Sequence, residues 1–491
     1  MPPTPSLPDP PTSELRLARG LLVLVLAAGA LLRVWLALTD DGLYWPDEIY
    51  QSLEPAHRLV FGYGFVAWEF IEGARNWALP GLVAGLMGLA RVLGLDSPGG
   101  YLGLVKVAFA LMGTATAWGS YRLARSYGAS PLAATGGAAL MALASVPIYF
   151  APRAMSENAS ALAAVLGLAL APGASRRALI VGASLLGVAV LLRLQSGIFC
   201  VGLVALLAAR RQWRQVGLTL SVLAVWAVLF GLLDRLTWGS WFHSARVYLE
   251  FNLIRGGASG WGTAPFSYYT RVLLRGMSGV SLLVGGLGLL GLWRARGLAA
   301  LSLAFFLLHA AQPHKELRFL VPVFPLLAAL AAVGLDVLCE RLQLKTLRAR
   351  AVAALAVVTV GAISAGLSRR LTFGDIGQYM NERPKVSAYD DSGPVNRLLA
   401  AASQREDVCG LKIEVPVHLA WTGGYSYFHR PVPLYWSASP GGRESGRFNY
   451  VITPNGWAAG GEVLAREQGL VLMRLPLPSC VPDPGFSWRL P

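Results

Sequence analysis

The side chains able to do chemistry concentrate in a few stretches of this chain. The first is Leu43–Phe70, LYWPDEIYQSLEPAHRLVFGYGFVAWEF, where Asp47 and Glu48 stand side by side after Pro46. Proline pre-sets a helix start, and carboxylates suit a first turn, where unpaired backbone N–H groups and the helix dipole favour negative charge. A helix running on to about Val60 puts Asp47, Gln51, Glu54 and Arg58 on one face and Ile49, Leu53, Ala56 and Val60 on the opposite one. That is a polar stripe for a cavity, backed by an apolar stripe for membrane or protein. A capped helix with a solvated face fits the same spacing.

The second stretch is His314-Lys315-Glu316-Leu317-Arg318, four ionisable groups at the edge of an apolar run, where charge is costly to desolvate. Arginine binds phosphate with a bidentate fork and lysine as a point charge, and a histidine can donate to the same oxygens. Anchors that snorkel to lipid headgroups and pair with Glu316 are the alternative. Arg153 with Glu157, and Arg193 with Gln195, end other apolar runs. They suit an anionic donor or sugar hydroxyls, and equally an interfacial anchor. A third stretch, Trp421 to Arg430 (WTGGYSYFHR), joins aromatic and polar groups to two glycines that permit a tight turn. Contact with a sugar or lipid head through Trp421 and Tyr425, and a buried structural turn, both fit it. Between residues 234 and 270, Trp238, Trp241, His243, Trp261, Tyr268 and Tyr269 make a loop suited to an interfacial belt or to sugar stacking.

These residues need elements to hold them, and composition says what kind. At 491 residues the chain is long enough for several soluble domains, but 55% of it is hydrophobic and 14% charged, the balance of a polytopic membrane protein. The net charge of +15 is spread in small groups between apolar runs rather than along one face, which argues for topology signals and against nucleic acid. Arginine dominates those groups, and with so much Ala, Gly and Leu this suggests a GC-rich bacterial genome and hence a bacterial inner membrane; in a eukaryote it would be the ER membrane. Four cysteines are too few and too scattered for a disulfide scaffold or a zinc site. No metal or cofactor is read from the sequence.

Residues 1–19 are Pro-rich and expected to be a disordered cytoplasmic tail. Gly20 to Leu38 reads as an uncleaved first span, roughly 28 Å long at about 1.5 Å per residue. Further apolar runs lie near 79–95, 102–121, 131–150, 157–171, 178–193, 197–209, 216–233, 271–292, 297–312, 318–338 and 349–367. If all of these cross, Arg122, Arg125 and the 210–214 arginines fall outside. Placing 79–95 on the outer surface instead moves every basic cluster inside, as positive-inside topology requires. The expectation is therefore eleven spans, N-terminus in and C-terminus out, within a membrane domain of residues 20–368. The first external loop covers 39–101, and the charged and aromatic loops gather on the outer face. Residues 369–491 contain no run long enough to span and read as a small external α/β domain. Helices are expected at Asn396–Ala402 and Gly461–Gln468, with strands at Val408–Val415, Phe448–Thr453 and Leu470–Leu475. Cys409 and Cys480 share this domain, so an oxidising compartment predicts a disulfide between them.

Pro46-Asp47-Glu48, Gln51-Ser52-Leu53-Glu54, Gly62-Tyr63-Gly64 and Trp68-Glu69 together resemble the first lumenal loop of the dolichyl-phosphate-mannose-dependent mannosyltransferases. These enzymes extend GPI anchors and lipid-linked N-glycan precursors. His314 to Phe319 is similar to their His-Lys-Glu-x-Arg-Phe motif, with Leu317 where an acidic residue is common, and Trp421 to Arg430 resembles a segment of the tail in some members. The likeness extends over about residues 44–436. It implies a GT-C fold, a polyprenyl-phosphate-mannose donor, a lipid-linked glycan acceptor, and an inverting displacement giving an α-mannoside. Asp47 would be the base, with Glu48 the second choice. His314, Lys315, Arg318, Arg153 and Arg193 would hold the donor phosphate, making a metal unnecessary, and Gln51, Glu54, Trp68, Glu69, Trp421 and Tyr425 would contact sugar. A transporter or flippase of lipid-linked sugars, a GT-C enzyme using another polyprenyl-phosphate sugar, and an inactive scaffold share many of these features.

Overall fold

A computed structural model describes residues 11–171, 175–377, 385–389, 392–416, 418–439, 441–444, 446–455, 460–476 and 480–490. Of the N-terminal tail expected to be disordered, residues 1–10 lie outside the described residues, whereas residues 12–19 are the first turns of the helix Thr12–Thr39, a correction to that expectation. The chain divides into two compact units, one formed by Met1–Leu36 and Val107–Lys385, the other by Ala37–Lys106 and Val386–Pro491. Residues 37–106, which include the expected first loop, therefore group with the C-terminal segment, a partition that a boundary at residue 368 does not capture.

The first unit is helical. Among the described residues, Thr12–Thr39, Pro98–Ser126, Trp213–Trp238, Leu317–Arg341 and Leu347–Arg370 are long and apolar enough to cross a membrane. A sixth candidate, Tyr268–Met277 with Gly279–Gly291, is bent by 119°. Most of the other apolar runs form shorter helices, among them Pro131–Leu143, Ser156–Leu170 and Arg176–Leu192. The run expected at 131–150 breaks at Ala144, whose backbone is extended. A broken helix in an apolar setting must have its freed backbone groups satisfied from elsewhere. Fully buried Arg33 does so, donating to the carbonyls of Met141 (2.9 Å) and Ala142, while Ser145 N donates to Ser364 Oγ (3.0 Å) and Ser145 Oγ to Gly276 O (2.6 Å). Helices approach closely where side chains are small: a Cβ at Gly334 would collide with the Leu287 carbonyl.

The second unit holds a five-stranded mixed sheet. Its strands are β1 (Leu411–Ile413), β2 (Leu434–Trp436), β3 (Tyr450–Pro454), β4 (Glu462–Glu467) and β5 (Leu470–Arg474), in the order β2-β1-β3-β5-β4. β1 runs parallel to β2 and β3, and β5 is antiparallel to β3 and β4. The helix Gly393–Ser403 packs on β4 and β5. The helix expected at 461–468 is instead β4. Gln468 and Gly469 both adopt positive φ (43° and 85°), the two-residue hairpin turn whose twist matches the flanking strands, so this segment pairs back on β5. Cys409 and Cys480 form the expected disulfide.

Candidate functional site

In the second unit the chain turns helical at Pro46, whose carbonyl accepts from Ile49 N (3.0 Å) and Tyr50 N (2.9 Å). Regular α-helix does not follow. Ile49–Leu53 is a π-helical turn, and the α-helix Glu54–Phe61 begins only after it. Such a turn takes up an extra residue and rotates everything beyond it; turns of this kind are rare and recur at functional sites. The four-residue stripe expected from Asp47 to Arg58 is accordingly broken. Asp47 stays half-buried, whereas Glu54 turns fully inward.

Glu54 is the hub of this unit. Its Oε1 accepts from Phe65 N (2.8 Å) and Tyr425 N (3.0 Å), and its Oε2 from Ser426 N (2.9 Å). Burial pushes its carboxyl up to about 7, against the pull of those three N–H groups. Gly424, at φ +53°, brings the Tyr425–Ser426 backbone onto the carboxylate; a Cβ there would meet Glu54 Oε2 at 3.0 Å. Tyr425 is itself fully buried, and its hydroxyl donates to Val432 O (2.8 Å). Both residues, expected to contact sugar, have their polar atoms engaged within the unit.

Beside them lies an imidazole pair, His57 fully buried and His429 half-buried. His57 Nδ1 is 3.0 Å from Tyr63 O, and its Nε2 is 2.8 Å from His429 Nδ1. A carbonyl only accepts, so His57 carries its proton on Nδ1 and takes the His429 N–H at Nε2. Burial, with His429 opposing a second charge, lowers His57 to about 3, and burial lowers His429 to about 4.

Nearer Asp47, Glu48 is buried and accepts from Tyr44 N (3.1 Å), a capping geometry. Glu69 is 6% exposed and accepts from Gln51 Nε2 (2.8 Å). Burial pushes its carboxyl up to about 7, the negative charge of Asp47 adds to that rise, and Arg75 opposes it. The charge of Asp47 is thus felt at Glu69, and Glu69 holds its proton near neutrality. Trp421 packs edge-on against Trp45 with ring centroids 5.0 Å apart, and both remain half-buried, as does Trp68.

The first unit contains the basic constellation. Arg193 pairs with Glu157 (2.5 Å), Arg318 with Glu316 (2.7 Å) and Glu157 (3.4 Å), and His314 with Glu316 (3.0 Å), all but His314 almost fully buried. The guanidinium carbons of Arg193 and Arg318 lie 5.5 and 5.1 Å from the Phe319 ring centre. Burial alone would raise the Glu316 carboxyl and lower the His314 imidazole; their hydrogen bond and mutual attraction, with Arg318 beside Glu316, reverse both shifts. Buried Arg153 lies 4.2 Å over the Tyr149 ring, in a turn where Asn158 donates to the carbonyls of Phe150 (2.5 Å) and Arg153 (2.8 Å). Lys315, expected to bind phosphate, is engaged by backbone carbonyls in this structure. Its ammonium donates to the carbonyls of Ala264 (2.7 Å), Gln312 and Pro313 (3.5 Å), while His314 Nδ1 meets Gly262 O (2.9 Å). Both side chains therefore brace the 262–264 segment. The sequence reading gave no role to Arg75 or Asn396 and undervalued Glu157. Asn396, which donates to Asp41 O (2.8 Å) and accepts from Gly423 N (2.7 Å), belongs to no motif; Glu157 had a signal in its first-turn position.

Residues 24–399 match the model of the Alg9-like mannosyltransferase family. The chain belongs to that family. It is 31% identical over 389 residues to GPI mannosyltransferase 3 of Yarrowia lipolytica, a match covering 75% of this chain and 72% of the relative. With mannosyltransferase APTG1 of Arabidopsis thaliana it shares 29% identity over 60% of this chain and 55% of the relative. With GPI alpha-1,2-mannosyltransferase 3 of Bos taurus it shares 27%, over 62% and 57%. The fold is that of GT-C enzymes. The crystal structure of ArnT from Cupriavidus metallidurans bound to undecaprenyl phosphate aligns with a TM-score of 0.60 at 16% identity, over 92% of this chain and 97% of ArnT. The oligosaccharyltransferase AglB from Archaeoglobus fulgidus, in complex with an inhibitory peptide and a dolichol-phosphate, aligns at 0.55 and 14% identity, over 85% and 64%. Membership makes this chain a mannosyltransferase-class enzyme of the membrane.

Proposed function

We propose that the chain moves mannose from a polyprenyl-phosphate-mannose donor to a hydroxyl of a lipid-linked glycan. The observation that carries this reading is the buried network around Glu157 and Glu316. Two guanidinia and an imidazole that favours its proton are gathered on two buried carboxylates, and Arg153 is buried in the same unit. Guanidinia held in place by buried carboxylates are fixed donors suited to a phosphate, which they bind with a bidentate fork. A lipid-linked donor supplies one, and ArnT and AglB were each solved with a polyprenyl or dolichol phosphate.

In this reading Asp47 takes the proton of the acceptor hydroxyl as that oxygen bonds to the anomeric carbon. The bond from that carbon to the phosphate oxygen breaks with its electron pair, leaving the polyprenyl phosphate with one more negative charge. Arg193 and Arg318, with Arg153, stabilise that charge, while His314 and Lys315 hold the loop beside them. A single displacement inverts the β-linked donor to an α-mannoside. Half-buried Trp45, Trp68 and Trp421 suit stacking on the sugars. We place eleven spans in the membrane, the N-terminus inside and the tail outside, in a bacterial periplasm; the Cys409–Cys480 disulfide favours an oxidising side for the tail.

The test is purified protein with radiolabelled polyprenyl phosphate mannose and a panel of lipid-linked acceptors. Mannose appearing on one of them in α linkage is the expected result. Movement of the lipid across a vesicle membrane without turnover would overturn it in favour of a transporter.

A further inference from the structure

The last described residues of the chain, 480–490, are not a loose tail. They leave the disulfide at Cys480, and Val481 N donates to Gly446 O (3.0 Å). A turn at Asp483 follows, its carboxylate accepting from Gly485 N (2.8 Å). From there the backbone lies alongside the first loop. Val66 N donates to Trp488 O (2.8 Å), Leu490 N donates to Val66 O (3.1 Å), and Val66 and Arg489 form a parallel bridge. Exposure alternates as in a strand: Phe486, Trp488 and Leu490 point inward, Ser487 and Arg489 outward. The Trp488 ring sits 5.0 Å from Tyr425, 5.3 Å from Phe486 and 6.4 Å from Tyr63, and Phe486 sits 5.6 Å from Tyr435 and 6.1 Å from Phe65.

We infer that this segment is a strap that positions the acidic first loop for catalysis, with Trp488 as its anchor. Val66 is gripped from both backbone sides by the strap, and its neighbour Phe65 is held by Glu54. Ala67, directly after Val66, caps the short helix Trp68–Ile71 and accepts from Phe70 N (2.9 Å) and Ile71 N (3.1 Å). The strap thus fixes the backbone from which Trp68 and Glu69 project, and Gln51, on the turn after Asp47, donates to Glu69 (2.8 Å). Trp488 touches no reacting group in this arrangement; it acts through the loop. The covalent end of the strap is the disulfide, so residues 480–490 keep a short, fixed reach to the loop. This inference rests on the reading of Asp47 as the base.

The experiment compares full-length wild type, Trp488→Ala and Trp488→Phe, and a chain ending after Pro484. Two readouts are taken on the same preparations, amide hydrogen exchange and mannose-transfer kinetics. The expected result for Trp488→Ala and the truncation is exchange at Phe65, Val66 and Ala67 faster by at least about tenfold, with β1, β3 and β5 still protected. With it should come a fall in kcat of about tenfold or more at nearly unchanged donor KM, since misplacing a catalytic group by an ångström costs rate rather than binding. Trp488→Phe should restore most of both. Unchanged exchange at 65–67 overturns the strap, and faster exchange with wild-type kcat overturns its catalytic role. If the assignment of Asp47 is what fails, Asp47→Asn retains transfer while the exchange result stands.

Discussion

Burial treats Glu54 and Glu69 alike, pushing both carboxyls up to about 7, but their partners differ. Glu54 faces three backbone N–H groups, so Glu54→Gln keeps one acceptor oxygen and turns an NH2 toward donors. That should cost roughly 2 kcal/mol of stability, the order expected for stranding buried polar groups. Glu69 near neutrality resembles its own amide, so Glu69→Gln should melt close to the wild type; a thermal-shift comparison of the two variants in detergent checks both. The imidazole pair contributes to the acid side of the stability profile. His57 and His429 bind protons less readily folded than unfolded, so their contribution is intact above the ordinary value of 6.5 and is lost as pH falls toward about 3 and about 4. Glu54 and Glu69 work oppositely, their contribution being present below the ordinary 4.5 and lost as pH rises to about 7. His57→Phe removes one histidine from this balance. Its melting temperature relative to the wild type should therefore rise as pH drops from 6.5 to 4, and a difference flat across that range would contradict the account.

At the scale of elements, the apolar runs were legible because hydropathy and helix length are local properties, and β1, β3 and β5 were legible from their β-branched residues. Among the elements that were not, β2 is only three residues long. The π turn at Ile49–Leu53 has no local signature, since IYQSL suits an α-helix equally, and what it accommodates is the inward rotation of Glu54. Strand β4 carries a sequence, EVLARE, with helical propensity, and becomes a strand through the hairpin turn and the partner β5. The disulfide links an element before β1 to the strap after β5, so Cys409→Ser should lower the stability of this unit by about 2–4 kcal/mol. Thermal melts with and without reductant should show the loss in the wild type and no further loss in the variant.

For the whole molecule, the motifs identified the residues but not their partners. Asp47, Glu69, Arg193 and Arg318 were all legible as types worth placing, whereas Glu54, Tyr425 and Lys315 look equally reactive in sequence and are occupied in structure. Exposure of a charged side chain is a tertiary property that spacing does not encode. The orientation we propose is testable in intact cells. A membrane-impermeant thiol reagent should label Gln404→Cys in the tail and spare Arg211→Cys, and the reverse pattern would invert the topology. The most direct measurement of the central claim is transfer by Asp47→Asn, alongside donor binding by the same protein. The account predicts donor affinity close to wild type with mannose transfer reduced by a factor of about 1,000 or more, the range set by losing a general base together with the charge it places at the acceptor. Near wild-type transfer by Asp47→Asn would contradict it.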